Sequence, residues 1–142
     1  MKHLTRNIIF VSLAIMIAVI LAALYLFNKQ HPDLTGVRAD YVMTAQDLYT
    51  DFESDEQAAT LKYADKIIQV TGTVAVMETN ADGTVNVTLG DENMFGGVIC
   101  TFQGVSDPAD LGLTPSAEVI IKGVCSGMLM DVLLNNCVIV SE

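Results

Sequence analysis

The sequence predicts a mainly β protein: a five-stranded Greek-key barrel of the OB-fold type with a short N-terminal helical segment, preceded by one transmembrane helix. Three observations carry this. Residues Ile8 to Phe27 run for twenty residues without a charge, a proline or a glycine. From Lys66 onward, β-branched stretches recur between turn residues five times. The first of these stretches is long and holds Gly72, where a barrel strand can bend.

Twenty helical residues reach roughly 30 Å, the thickness of a bilayer's hydrocarbon. A cleaved secretory signal has a shorter apolar stretch and a small-x-small site behind it. Here Ala22 and Ala23 lie inside the run, with Leu24 to Phe27 still to come. An uncleaved signal anchor is therefore expected over residues 8–27, the alternative being removal at an unrecognised site. Tyr25 suits the interface. Lys2 and Arg6 precede the run and Lys29 alone follows closely, which favours a cytoplasmic N-terminus and an extracytoplasmic remainder. The expected organisation is a tip and anchor over 1–28, a linker over 29–43, and one domain over 44–142.

All seventeen acidic residues follow position 32, against only Arg38, Lys62, Lys66 and Lys122, so the exposed domain carries about −13. Nucleic-acid binding draws much of its affinity from lysine and arginine at phosphates, and anionic headgroups are disfavoured for the same reason. Cationic or neutral partners, such as an envelope protein, fit this balance better.

Asn28 to Val42 holds Pro32, Gly36 and mixed charges without apolar periodicity, and reads as the linker. Thr44 then opens a helix pattern, with Asp47 three residues on and Leu48 and Phe52 four apart on one face. Ser54-Asp55 interrupts it. Glu56 starts a second short helix in which Ala59, Leu61 and Tyr63 are expected to supply apolar contacts.

Strands are predicted over Lys66–Met77, Thr84–Leu89, Gly97–Gln103, Glu118–Cys125 and Asp131–Val140. Asp82-Gly83 suits a tight turn between the first two. On the fourth strand Val119, Ile121 and Gly123 share one face, while Glu118 and Lys122 share the other. On the fifth, Val132 and Leu134 fall out of phase with Cys137 and Ile139. A bulge at Asn135-Asn136 restores them to one interior face. The connection containing Asp107-Pro108 and the closing pair complete the OB-fold order.

Several segments together resemble a known family. They are Asp55-Glu-Gln-Ala58, Lys62-Tyr-Ala-Asp-Lys66, Val70-Thr-Gly-Thr-Val74, Val119-Ile-Ile-Lys-Gly123, Cys125-Ser-Gly127 and Asp131-Val-Leu-Leu-Asn-Asn-Cys-Val-Ile139. They are similar to the tRNA-anticodon-binding-like OB-fold family of small bacterial envelope proteins, many of them lipoproteins, over roughly residues 44–140. The resemblance implies a helix capping the barrel and paired cysteines near the end. It implies no cofactor and no catalytic residues. Its name implies nucleic-acid binding by analogy, and fold does not fix function. No cysteine stands near the apolar run to accept a lipid, so the helix itself takes that role here.

The expected function is a membrane-anchored extracytoplasmic binding module for a protein or envelope component. The alternative is single-stranded nucleic acid or oligosaccharide on the OB-fold face. Candidates for stacking and phosphate contact are Tyr63, Lys66, Phe95, Phe102 and Lys122, although the better reading makes Tyr63 and Phe102 core and the lysines isolated surface charges. Met94-Phe95-Gly-Gly97 and Met77, Met128 and Met130 form a second candidate surface, although methionine also fills core gaps.

Cys100, Cys125 and Cys137 are compatible with one disulfide in any of three pairings plus a spare thiol, or with three inert buried thiols. No CxxC occurs, and His3 and His31 flank the apolar run, so no metal is expected. Glu78 to Val85 resembles half of a calcium loop, but its twelfth position is Leu89, and a hairpin turn is the better reading. No Gly-x-Ser-x-Gly is present, and no histidine follows His31 to serve as a base in the domain. The carboxylate pairs Asp91-Glu92, Asp107 with Asp110, and Glu53 with Asp55 read as solvated turns. The expectation is a protein that is not an enzyme.

Overall fold

A computed structural model of the chain describes residues 2–27, 33–91 and 95–140, with side chains in the first stretch described from 10 to 25. Two units result, residues 1–31 and residues 32–142. The first is helix α1, Lys2–Phe27, along which Phe10, Ile15, Val19 and Tyr25 are all more than half exposed. Among the described residues, which for the side chains of α1 are 10–25 alone, no helix is long and apolar enough to cross a membrane.

The second unit runs β1 (Tyr41–Thr44), α2 (Ala45–Ser54), α3 (Glu56–Tyr63), β2 (Ile67–Thr79), β3 (Val85–Leu89), β4 (Val98–Phe102), β5 (Glu118–Met128) and β6 (Val132–Ile139). The strand order is β1-β2-β3-β4-β6-β5, and β5 returns to pair with β2. Strands β2 to β6 thus close a five-stranded barrel, with every seam antiparallel except β4–β6. All five predicted strands form.

Long β2 serves two neighbours in turn. Its first half, Ile67 to Thr73, pairs with β5, and Val74 to Thr79 pairs with β3, the register shifting between Val74 and Val76. Gly72 sits just before this change. A Cβ there would lie 3.0 Å from Ala45 Cβ and 3.2 Å from Leu89 Cβ, so the glycine lets the start of α2 rest on the strand.

Thr44 caps α2 by accepting from Asp47 N at 3.0 Å, and Asp55 both ends α2 and caps α3 by accepting from Ala58 N at 3.0 Å. Helix α2 packs on β2, β4 and β6, and α3 packs on β5. Leu48, Tyr49, Phe52, Ala59 and Tyr63 thereby join Ile68, Val70, Val87, Leu89, Ile121 and Leu134 in one core. Leu61 differs from expectation, because it points to solvent at 83 % exposure.

A sixth strand was not expected. The reading of 29–43 as a linker is corrected here, since β1 pairs in parallel with Ile68 to Thr71 and Leu34 is fully buried. Ile67 N donates to Asp40 Oδ2 at 2.9 Å and Asp40 N to Ile67 O at 2.7 Å, fixing the approach of β1. From Asp33 onward the chain is therefore a strap on the barrel. Residues 28–32 lie outside the described residues.

The bulge on β6 forms where the phase of the sequence requires it. Asn136 has φ 53°, and the register against β5 shifts between the pairs Lys122–Val138 and Val124–Asn135. Val132, Leu134 and Cys137 all face the core as a result. Opposite the bulge, a Cβ on Gly123 would stand 2.6 Å from Cys137 Sγ, 3.1 Å from Leu134 Cβ and 3.2 Å from Asn135 O. Gly123→Ala is therefore expected to cost about 1–3 kcal/mol by overpacking. A urea midpoint equal to that of the unaltered chain would show that the bulge can move aside.

Candidate functional site

The outward side of β2, β3 and β4 is set by strand alternation, and its register aligns two rows. Val76, Thr88 and Ile99 form one, and Glu78, Asn86 and Thr101 the other. Thr101 Oγ1 donates to Asn86 Oδ1 at 2.9 Å, and Asn80 Nδ2 to Thr84 Oγ1 at 2.8 Å. This face therefore offers amides, hydroxyls and apolar groups. Its one charge is the Glu78 carboxylate.

The loops at the ends of β3 and β5 carry a different surface. Phe95 is fully exposed, and Leu129 and Met130 are exposed at 85 % and 82 %. Asp131 joins their loops by accepting from Gly97 N at 2.7 Å, and Val132 N donates to Gly97 O at 3.0 Å. Gly96 keeps the turn close to α2, since a Cβ there would lie 2.7 Å from the Tyr49 ring. Met94 and Glu92 lie outside the described residues. Met77 and Met128 are half-buried against the core.

The structure separates the five candidate stacking and phosphate residues. Phe102 is buried in the barrel, in phase with Val98 and Cys100. Tyr63 is 1 % exposed and donates to Asp51 Oδ2 at 2.5 Å. Burial first, then this bond to Asp51, pushes its hydroxyl above the usual phenol range. Lys66 is exposed just before β2, whereas Phe95 is on the β3–β4 loop. Lys122 lies on the outer face of β5 as predicted, yet is only 6 % exposed, because the strap covers it. Its Nζ donates to Val37 O at 2.6 Å and approaches Thr35 O at 3.5 Å.

Lys62 is committed too, with Nζ 3.5 Å from Asp51 Oδ2 and 4.5 Å from the Tyr63 ring centre. The bond with Tyr63 comes first among the causes that raise its pKa. Of the four cations in the described domain, Arg38 and Lys66 stand exposed and outside such contacts. Sequence reasoning could not foresee the strap over Lys122, since nothing local encodes it.

A shallow pocket of about 140 Å³ lies between Thr44, Ala45 and Gln46 at the start of α2 and Thr71 to Thr73 on β2, with Gly90 and Asp91 closing it. Its lining mixes three threonine hydroxyls, the Gln46 amide and the Asp91 carboxylate with Ala45 and two glycines. Among the described residues no three metal-ligating side chains converge. The calcium-like segment is a turn: Asp82 Oδ1 accepts from Thr84 N at 3.0 Å and Thr84 Oγ1 at 2.7 Å, with Gly83 at φ 82°. These bonds hold the Asp82 carboxyl below the usual range.

The three cysteines are free and buried. Burial first, then the neighbouring Cys137 thiol, pushes the Cys100 thiol well up, while Cys137 Sγ donates to Leu134 O at 3.4 Å. Burial likewise raises Cys125, opposed by the Gly127 N–H and reinforced by Asp65.

Among solved structures, the chain is similar to a lipoprotein of Klebsiella pneumoniae provisionally named as nucleic acid-binding. The match has 17% identity and a TM-score of 0.57 over 70% of this chain and 91% of that one. It is also matched, at a TM-score of 0.43 and 17% identity, to an OBody bound to hen egg-white lysozyme, covering 57% and 87% of the two chains. An asparaginyl-tRNA synthetase of Entamoeba histolytica aligns at 15% identity and a TM-score of 0.38, over 55% of this chain and 21% of that enzyme. Comparison with curated proteins finds no match. The first likeness supports the OB-type barrel already described and, at such identity, the fold alone. A family model covers residues 1–139, helix α1 included, and on that match the chain belongs to the tRNA_anti-like family.

Proposed function

We propose that this protein is a membrane-anchored extracytoplasmic OB-fold module that binds an envelope protein through the Phe95, Leu129 and Met130 loops and the adjoining β2–β4 face. The carrying observation is that these three apolar side chains are exposed on two loops already fastened together by Asp131. Preorganised apolar anchors lose little entropy on binding, and such residues dominate interface energetics. An outer face whose one charge is a carboxylate and an acidic domain whose lysines are largely occupied favour a protein over a polyanion. The uncharged twenty-residue run and its inclusion in the family match support α1 as the anchor.

A photo-crosslinking residue at Leu129 in intact cells is expected to capture a discrete envelope protein. Phe95→Asp with Met130→Asp should abolish that adduct without changing the fold. An adduct that survives both substitutions, or none from this position, would overturn the assignment of the surface.

The single-strand alternative gives an opposite expectation. Fluorescence anisotropy with a labelled oligonucleotide at about 20 mM salt, where electrostatics is exaggerated, should show no binding up to the micromolar range. Micromolar binding that weakens with salt would replace a protein partner by nucleic acid.

A further inference from the structure

We infer that a groove crossing the outer side of β2, from the start of α2 to Ser116, is a binding site for a short neutral saccharide. It is separate from the Phe95, Leu129 and Met130 surface, and either assignment can fail without the other.

The pocket beside α2 is one end of this groove. A second hollow of about 400 Å³ is lined by Thr73, Val74, Ala75, Gly90, Asp91 and Ser116. The two share Thr73, Gly90 and Asp91, so they are continuous. Topology creates the gap between their walls. Strand β5 takes one edge of β2 as far as Thr73, which leaves β1 and β3 to follow each other along the opposite edge, β1 ending against Thr71 and β3 reaching Val74. Where one stops and the other arrives, Thr73 and Ala75 stand exposed on the floor. Each wall is tied to that floor by backbone bonds. Gly90 N donates to Thr73 O at 3.0 Å on one side, and on the other Ser116 N donates to Val74 O at 2.8 Å and Val74 N to Ala117 O at 2.9 Å. Ser116 is held there at φ 66°, a backbone that serine seldom adopts. The groove is therefore built before any ligand arrives.

The chemistry of the lining selects the ligand. The hydroxyls of Thr44, Thr71, Thr73 and Ser116 can each donate and accept, the Gln46 amide does both, and the Asp91 carboxylate accepts. No lining residue is lysine or arginine, so a phosphate would meet a carboxylate with no cation to offset it. Anions are disfavoured. Val74 is buried, and the other apolar lining residues are alanines and glycines, so an acyl chain would gain little contact. A peptide would find the backbone of the floor already engaged. Thr71 pairs with Thr44 and Ile120, Thr73 with Glu118 and Gly90, and Val74 with Leu89, Ser116 and Ala117, which leaves no ladder for an added strand. The lining fits an uncharged ligand rich in hydroxyls. Vicinal hydroxyls of a sugar ring can donate to the two oxygens of one carboxylate while accepting from the threonines and the amide around it.

The test is amide chemical-shift mapping of the isotope-labelled full chain, in a detergent without a sugar headgroup, titrated with maltotriose and separately with chitotriose to about 20 mM. At least one should give saturable shifts at residues 44–46, 71–75, 90, 91 and 116, with a dissociation constant on the order of 1–10 mM, the weak range of a shallow polar site. Inorganic phosphate should move none of them. Thr73→Val with Ser116→Gly removes two hydroxyls while keeping a strand former at one position and a residue at ease with positive φ at the other. That pair should weaken binding about tenfold with the rest of the spectrum unchanged. No saturable shift with either saccharide would overturn the site. So would phosphate shifts at the same residues, saccharide shifts centred on Asn86 and Thr101, or a double variant that binds as tightly as the unaltered chain.

Discussion

Phe52→Ala is expected to lower the stability of the barrel unit by about 3–5 kcal/mol. The ring is 1 % exposed and stands 6.0 Å from the Tyr63 ring, at the junction of α2, α3 and the barrel interior. Leu48 and Tyr49 fill the same end from the same helix. Removing the ring deletes apolar burial and leaves a void that the closed strands cannot collapse to fill. A domain of this size is stable by roughly 5–15 kcal/mol, so the loss is a large share of the whole. Leu61→Ala on neighbouring α3 is the control, since its side chain is already in solvent. Urea denaturation followed by circular dichroism should separate the two variants clearly. Equal midpoints would mean that the helices are ornaments on a barrel that is stable without them.

Lys122→Glu should be comparably disruptive, on the order of 3–5 kcal/mol, through a different mechanism. The ammonium is enclosed beneath the strap and donates to the Val37 carbonyl. A carboxylate there would face carbonyl oxygens with no donor in exchange. Lys122→Met retains the apolar stem and removes only the donor, so about 1–3 kcal/mol is expected. The damage should begin locally. Amide exchange should rise first at residues 34–37, where Val37 N donates to Leu34 O at 3.1 Å, and reach the barrel strands only at higher denaturant. If exchange in the strap were the same in all three proteins, the segment would be held by Leu34 and the Asp40–Ile67 bonds without help from Lys122.

The barrel was legible because its signals are local. Alternation placed Val119 and Ile121 on the inner face of β5 with Glu118 and Lys122 opposite, and the phase slip on β6 located the bulge at Asn135-Asn136. Thr44 and Asp55 announced their helices by side-chain chemistry that operates within three residues. Strand β1 was illegible for the converse reason. Four residues, Tyr41 to Thr44, carry too short a pattern, and their pairing lies 27 positions away at Ile68 and beyond. The same distance hid the fate of the cations. An alternation pattern assigns Lys122 to the outer face correctly, but whether that face meets water depends on a strap 85 residues earlier. Tyr63 reads as an apolar contact of α3, as found, but its bond to Asp51 and the Lys62 ammonium over its ring are not legible locally. The exposed loops of Phe95 and Met130 were visible as apolar residues near turns, and their joining through Asp131 was not.

Thr44 closes β1 and caps α2, and Asp55 closes α2 and caps α3. One residue serving as the end of one element and the beginning of the next leaves no slack between 41 and 63. Length variation among descendants of this sequence should therefore collect at the β2–β3 turn and the stretch around Pro108, where insertions stretch only loops, whereas a single added residue at 44 or 55 would rotate a whole helix away from the interior it plugs.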